Sequence, residues 1–205
     1  MEIKAHWEHI HKSKGAHEVS WFQEHASQSI DLIKKTGVSP WAKIIDVGGG
    51  ASSLVDDLLD LGYAEITVLD ISGAALRRSQ DRLGHRASRV TWLELDITQA
   101  ELNSNFYDVW HDRAVFHFLT RADDRHRYVQ AVSRSVKTGG HVIVASFGPA
   151  GPERCSGLEV VRYSPETMHD EFGNDFELVD STTQTHHTPF GTDQQFIYCY
   201  CRKAS

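Results

Sequence analysis

The run Lys43-Ile44-Ile45-Asp46-Val47-Gly48-Gly49-Gly50-Ala51-Ser52 leaves this chain few folds to choose from. Its apolar half reads as a buried strand that ends in a carboxylate and a glycine turn. A helix then opens at Ser52-Ser53 and runs through Leu54-Val55-Asp56-Asp57-Leu58-Leu59. The same alternation continues downstream. Strands are expected at 43–47, 65–70, 89–95, 107–112 and 140–147, with helices at 53–61, 73–83 and 123–136 between them. Such an order implies a parallel sheet with crossover helices on both faces. A helix near 165–172 then precedes strands at 175–184 and 194–202, close enough in sequence to pair as an antiparallel hairpin. Ahead of the sheet, residues 3–14 suggest a short histidine-rich helix. Ser20 to Lys35 suggests a longer amphipathic one, with Phe22, Ala26, Ile30 and Ile33 at helical spacing and Gly37 and Pro40 ending it.

Glycines let a backbone approach a ligand where a Cβ would collide, and a helix N-terminus offers unpaired N–H groups. A glycine turn alone says little. Here three successive strands end in acids: Asp46, Asp70 and Asp96. Together these residues resemble the class I S-adenosylmethionine-dependent methyltransferases, whose first motif is an acid, any residue, then glycine-x-glycine, as in Asp46-x-Gly48-x-Gly50. Ser52 stands at the third glycine. The resemblance implies a Rossmann-like α/β fold: a seven-stranded sheet, mostly parallel, with a C-terminal antiparallel hairpin and helices on both faces. It also implies S-adenosylmethionine as cofactor and S-adenosylhomocysteine as product. Asp70, with Ile71 beside it, would take the ribose hydroxyls. Asp96 would meet the adenine amino group, with Ile97 against the ring. The ligand belongs beyond the carboxyl ends of strands one to four, where strand order switches.

The rival is a nicotinamide-binding domain, which also has an acid about 20 residues beyond its glycines. Its fingerprint wants glycine or alanine where Ser53 stands. Asp46 ahead of the turn and Asp96 after the third strand suit a cationic, phosphate-free adenosyl ligand better than a pyrophosphate. A P-loop is excluded because no Gly-Lys-Ser/Thr follows the glycines.

Methyl transfer is an in-line displacement at a carbon already activated by a sulfonium, so alignment and exclusion of water matter most. A base helps only when the acceptor is protonated. The segment Trp110-His111-Asp112-Arg113-Ala114-Val115-Phe116-His117 follows the fourth strand. In the resembled family it passes beneath the sulfonium, which makes Asp112 a candidate for cofactor contact and chemistry and His117 a candidate base. The alternative is an Asp112–Arg113 ion pair with His117 packed in the core. Asp112-Arg113-Ala114-Val115, Trp7-Glu8 and Trp21-Phe22 are similar to lysine methyltransferases acting on eukaryotic elongation factor 1A, in which the N-terminal elements form a lid over the cofactor. That similarity assigns Trp21 to the cofactor and Trp7 to the acceptor side. The middle and tail depart from it, and the fuller pattern resembles a bacterial subgroup of class I enzymes without an assigned acceptor.

The Gly/Pro-rich stretch Gly148 to Gly157 sits at the same sheet edge, where loops carry specificity. Arg113, Arg154, Cys155 and His186 are therefore candidate acceptor contacts. The expected organisation is one domain, 1–205: a helical lid over 1–36, a cofactor-binding core over 40–147, and a substrate-side loop and hairpin over 148–205. The expected acceptor is a small molecule, with a protein lysine as alternative and a catalytically inactive binding scaffold as the least favoured reading.

Composition narrows the partners. A net charge of −7 argues against broad phosphate-backbone contact, so nucleic acid is not expected. No apolar run approaches the ~20 residues that span a bilayer, and no membrane partner is expected. Three cysteines form no disulfide framework, which with the polar N-terminus points to the cytoplasm. His6, His9, His11 and His17 crowd the first segment, but no cysteine or carboxylate cluster completes a tetrahedral set, so no metal is expected.

Overall fold

The computed structural model describes residues 3–204. Helix α1 covers Ile3–Ser13 and α2 Ser27–Lys35. Then follow β1 (Lys43–Val47), α3 (Leu54–Asp60), β2 (Glu65–Asp70), α4 (Gly73–Leu83), β3 (Val90–Glu94), β4 (Tyr107–Arg113), α5 (Ala122–Ser135) and β5 (Val136–Phe147). A two-residue-per-arm hairpin, β6 (Arg154–Cys155) and β7 (Leu158–Glu159), precedes α6 (Pro165–Phe172), β8 (Phe176–His187) and β9 (Asp193–Lys203).

Seven strands form one sheet in the order β3-β2-β1-β4-β5-β9-β8. The first five are parallel, and β9 runs antiparallel to both β5 and β8. The chain builds outward from β1 to β3, then returns to lay β4 on the other side of β1. Strand order reverses there, and the loops after β1 and β4 diverge to leave a crevice.

Side-chain alternation along the strands divides the interior in two. Ile44, Val109, Ile143, Phe196 and Tyr198 pack on the face covered by α2 and α3. Ile45, Val47, Trp110, Val142, Val144 and Ile197 pack on the face covered by α5 and α6. Residues such as Ile44, Ile45, Leu54, Trp110 and Phe196 are fully buried, and each apolar side chain so enclosed contributes about 1.5–3 kcal/mol.

Local chemistry sets the helix starts. Ser72 caps α4 by accepting from Ala75 N at 3.2 Å, and α6 opens on Ser164-Pro165, with Thr167 N donating to Ser164 Oγ at 3.3 Å.

The expected helix over 20–35 is half the length. It begins at Ser27, and residues 20–26 are irregular. Tertiary contacts hold that backbone open: Ala26 N donates to Asp57 Oδ2 at 3.1 Å, His25 Nδ1 lies 2.8 Å from Asp57 Oδ1, and Ser53 Oγ donates to Gln23 O at 3.1 Å. Groups that a helix would pair internally are paired to α3 instead. Among the described residues, no helix is long and apolar enough to cross a membrane.

Candidate functional site

A cavity of about 700 Å³ opens at the carboxyl ends of β1, β2 and β4. Asp46, Gly48, Ser52, Asp70, Ile71, Asp96 and Ile97 all contribute to its wall. The loop glycines are sterically required. Gly48 has φ 72°, and a Cβ there would collide with the Val115 side chain. A Cβ on Gly50 would lie 2.5 Å from both the Ala75 Cβ and Asp70 Oδ2. Gly50 does not itself face the cavity. It lets α4 and Asp70 close against the turn.

Asp70 ends β2 almost fully buried. Its Oδ2 accepts from Gly50 N at 3.0 Å and its Oδ1 from Ser72 N at 2.8 Å. Burial pushes its pKa up to about 6 against the lowering effect of those two N–H groups, and the nearby Asp46 and Glu8 add to the rise. Asp96 is fixed by its own turn: Oδ1 accepts from Thr98 N at 2.9 Å and Thr98 Oγ1 at 2.7 Å.

Asp46 carries a contact the sequence did not disclose. Its Oδ1 lies 2.7 Å from His111 Nδ1, and His111 Nε2 lies 2.8 Å from Ser29 Oγ on α2. All three side chains are buried and line the cavity. Asp46 Oδ2 has no partner. A buried carboxylate oxygen left unpaired is costly and calls for a donor. With Asp70 and Asp96 further along the same wall, the set of acceptors suits a ligand with a cationic amine at one end and hydroxyls beyond it. The residues present therefore fit an adenosyl-methionine ligand.

Aromatic rings cover the wall. Trp7 on α1 meets Phe118 at 5.0 Å and Trp21 at 5.9 Å between centroids, both edge-on, and His11 packs within 6.3 Å of Trp21. Burial, with Arg78 nearby, lowers the His11 pKa to about 4, so this ring is neutral at pH 7. Helix α1 is docked on α4, where Glu8 Oε1 accepts from Ala74 N at 3.2 Å. That carboxylate takes one of the free donors in the first turn of α4.

At the far side of the cavity stands Arg113, the last residue of β4. Its guanidinium lies over the Phe196 ring at 4.3 Å. Nε donates to Tyr198 Oη at 3.1 Å and Nη1 to Trp21 O at 3.2 Å. Cys155, in the short hairpin, also lines the cavity, and burial pushes its thiol up to about 11, so it is protonated at neutral pH.

Besides Gly50, four expected contacts fall elsewhere. Asp112 points to the opposite face of the sheet, because successive side chains on a strand alternate. It is fully buried and accepts from Tyr128 Oη at 2.6 Å, Val115 N at 2.8 Å and Phe116 N at 3.1 Å. Ala114, at φ 75°, turns the chain so that those two N–H groups come back to the carboxylate. Asp112 thus shapes the loop after β4 without lining the cavity, and it forms no ion pair with Arg113. His117 is also fully buried, stacked on Phe147 at 4.5 Å, and accepts from Phe147 N at 3.4 Å. Burial and Arg113 lower its pKa to about 3. It packs in the core and is not placed to act as a base. Arg154 is exposed and donates to Gly157 O at 2.8 Å within its own hairpin. His186 is bound to Ser20 O at 2.7 Å and holds the segment leading to Trp21, outside the cavity wall. Trp7, Trp21, Arg113 and Cys155 do line the cavity.

A family described as a methyltransferase domain matches residues 45–144. The eEF1A lysine and N-terminal methyltransferase of Bos taurus is 27% identical over 138 residues, covering 67% of this chain and 19% of that protein. The chain thus spans about a fifth of the length of that relative. The ubiquinone/menaquinone biosynthesis C-methyltransferase UbiE of Ectopseudomonas mendocina is 25% identical over 123 residues, 58% of this chain and 47% of its own. Among solved structures, a protein studied for the conversion of a disulfide bond into a thioacetal group during echinomycin biosynthesis superposes with a TM-score of 0.80 at 16% identity, over 99% of this chain and 93% of the other.

Proposed function

We propose that this chain is an S-adenosylmethionine-dependent methyltransferase that moves the donor's methyl group to a small-molecule acceptor. The observation that carries the reading is the course of the cavity and the partial cover over it. One continuous space runs from the acid wall of Asp46, Asp70 and Asp96 to Arg113 and Cys155, under a roof of Trp7, Trp21 and Phe118. An elongated protein segment would have to displace that roof, whereas a small acceptor fits beneath it.

When bound, the cofactor supplies a methyl group already activated by its sulfonium. The chain's part is to hold, align and dry the site. Asp70 would take the ribose hydroxyls, Asp46 Oδ2 would take the ammonium, and Asp96 with Ile97 would hold the adenine. His111 and Ser29 fix the Asp46 carboxylate. The aromatic roof excludes water and presents ring faces that favour a nearby cation. Fixing two reactants in register supplies roughly 7–11 kcal/mol of a bimolecular barrier, so no obligatory base is invoked. The acceptor carries its own nucleophile.

A protein lysine is the second reading. What favours it is the sequence similarity to the eEF1A enzyme together with the Trp7-Glu8 and Trp21-Phe22 pairs at the roof. Incubating the chain with methyl-labelled S-adenosylmethionine and a bacterial extract, then separating metabolites from protein, tests the choice. Label in the low-mass fraction is expected. Label confined to protein lysines would reverse the assignment.

A further inference from the structure

Arg113 is a cation in the cavity wall with nothing negative beside it. Its neighbours are a phenol, a backbone carbonyl and an aromatic ring, and its Nη2 is buried without an acceptor. Among the described residues no Asp or Glu pairs with it. The adjacent acid, Asp112, is turned to the other face and engaged by Tyr128. Desolvating a cation without a counter-ion is unfavourable. A guanidinium clamped by Nε and Nη1, with Nη2 left over, is preorganised for an anionic oxygen.

We propose that Arg113 anchors a carboxylate through Nη2. This deepens the function proposed above and rests on it. Two carboxylates can reach a cavity of this kind: one carried by the acceptor, and the methionyl carboxylate of the donor. Arg113 reaches away from the acid wall toward Phe196, Tyr198 and Cys155, on the side left for the acceptor. Neutral isosteres would leave the guanidinium unpaired, so the site would select acids over their amides.

Calorimetry on the full chain separates the sources. Benzoate, phenylacetate and indole-3-acetate are titrated against their primary amides, with and without saturating S-adenosylhomocysteine. In a second arm, S-adenosylhomocysteine is compared with methylthioadenosine, which lacks the amino-acid end. If the acceptor supplies the carboxylate, wild type prefers the acids at least tenfold and Arg113→Gln abolishes the preference, with both adenosyl ligands unaffected. If the donor supplies it, Arg113→Gln weakens S-adenosylhomocysteine about tenfold and spares methylthioadenosine. Equal binding or non-binding of acids and amides by wild type, with both adenosyl ligands changed by one factor in the variant, overturns the proposal. Arg113→Lys retains the charge without the fork. It should recover part of the discrimination, and it carries the test if the glutamine variant does not fold. A wild-type chain that discriminates acids yet binds neither adenosyl ligand would refute the methyltransferase reading while leaving the carboxylate anchor standing.

Discussion

At the scale of single residues, the site depends on which face of a strand a side chain occupies. Asp46, Asp70 and Asp96 were legible because each lies at or just beyond the end of an apolar run, and such positions line the cavity at the switch point. Asp112 and His111 are adjacent in sequence, and no local signal distinguishes them. Only the register, which pairs Asp46 with His111 and Val47 with Asp112, decides that His111 shares the cavity face. Two substitutions follow from this division. Asp70→Asn should weaken S-adenosylhomocysteine binding by about a hundredfold, consistent with losing charge-assisted bonds worth about 1.5–3 kcal/mol each. Because Asp70 is ionised only above about pH 6, affinity in the wild type should fall as pH is lowered from 7.5 to 5. That dependence should flatten in the variant, as titration calorimetry across pH would reveal. His117→Gln, by contrast, should lower Tm through loss of the Phe147 stack and leave the shape of the pH–rate profile intact. A limb missing from that profile would restore His117 to the chemistry.

At the scale of elements, the glycine turns and the alternation of apolar runs with amphipathic ones located β1, β2, α4 and α6 to the residue and most other elements within two or three. Such signals are local. What lay outside the sequence's reach was the behaviour of residues 20–26, whose amphipathic spacing suits a helix until Asp57 and Ser53 compete for the backbone. Trp21, in that irregular segment, packs edge-on against Trp7 where both line the cavity. Asp57→Ala should release the segment. The expected result is a rise in KM for the donor of about tenfold with a smaller change in kcat. Trp7→Ala should act in the same direction by unroofing the site, and stopped-flow measurement of cofactor release should show a faster koff in both.

At the scale of the molecule, the sheet supplies one wall of the cavity, and Trp7 and Trp21 from the described N-terminal segment line it from the other side. Ligand binding should therefore couple to global stability. At a hundred times Kd, S-adenosylhomocysteine adds about 2.7 kcal/mol, and for a chain of this size Tm should rise by about 5–10 °C. A rise that vanishes in Asp70→Asn would locate the effect in the acid wall. Whether this wall is built for an adenosyl sulfonium and not for a dinucleotide is read by titrating the purified chain with S-adenosylhomocysteine and with NADH in a calorimeter. Micromolar binding of S-adenosylhomocysteine with no heat from NADH is the predicted result. Binding of NADH with none of S-adenosylhomocysteine would contradict it.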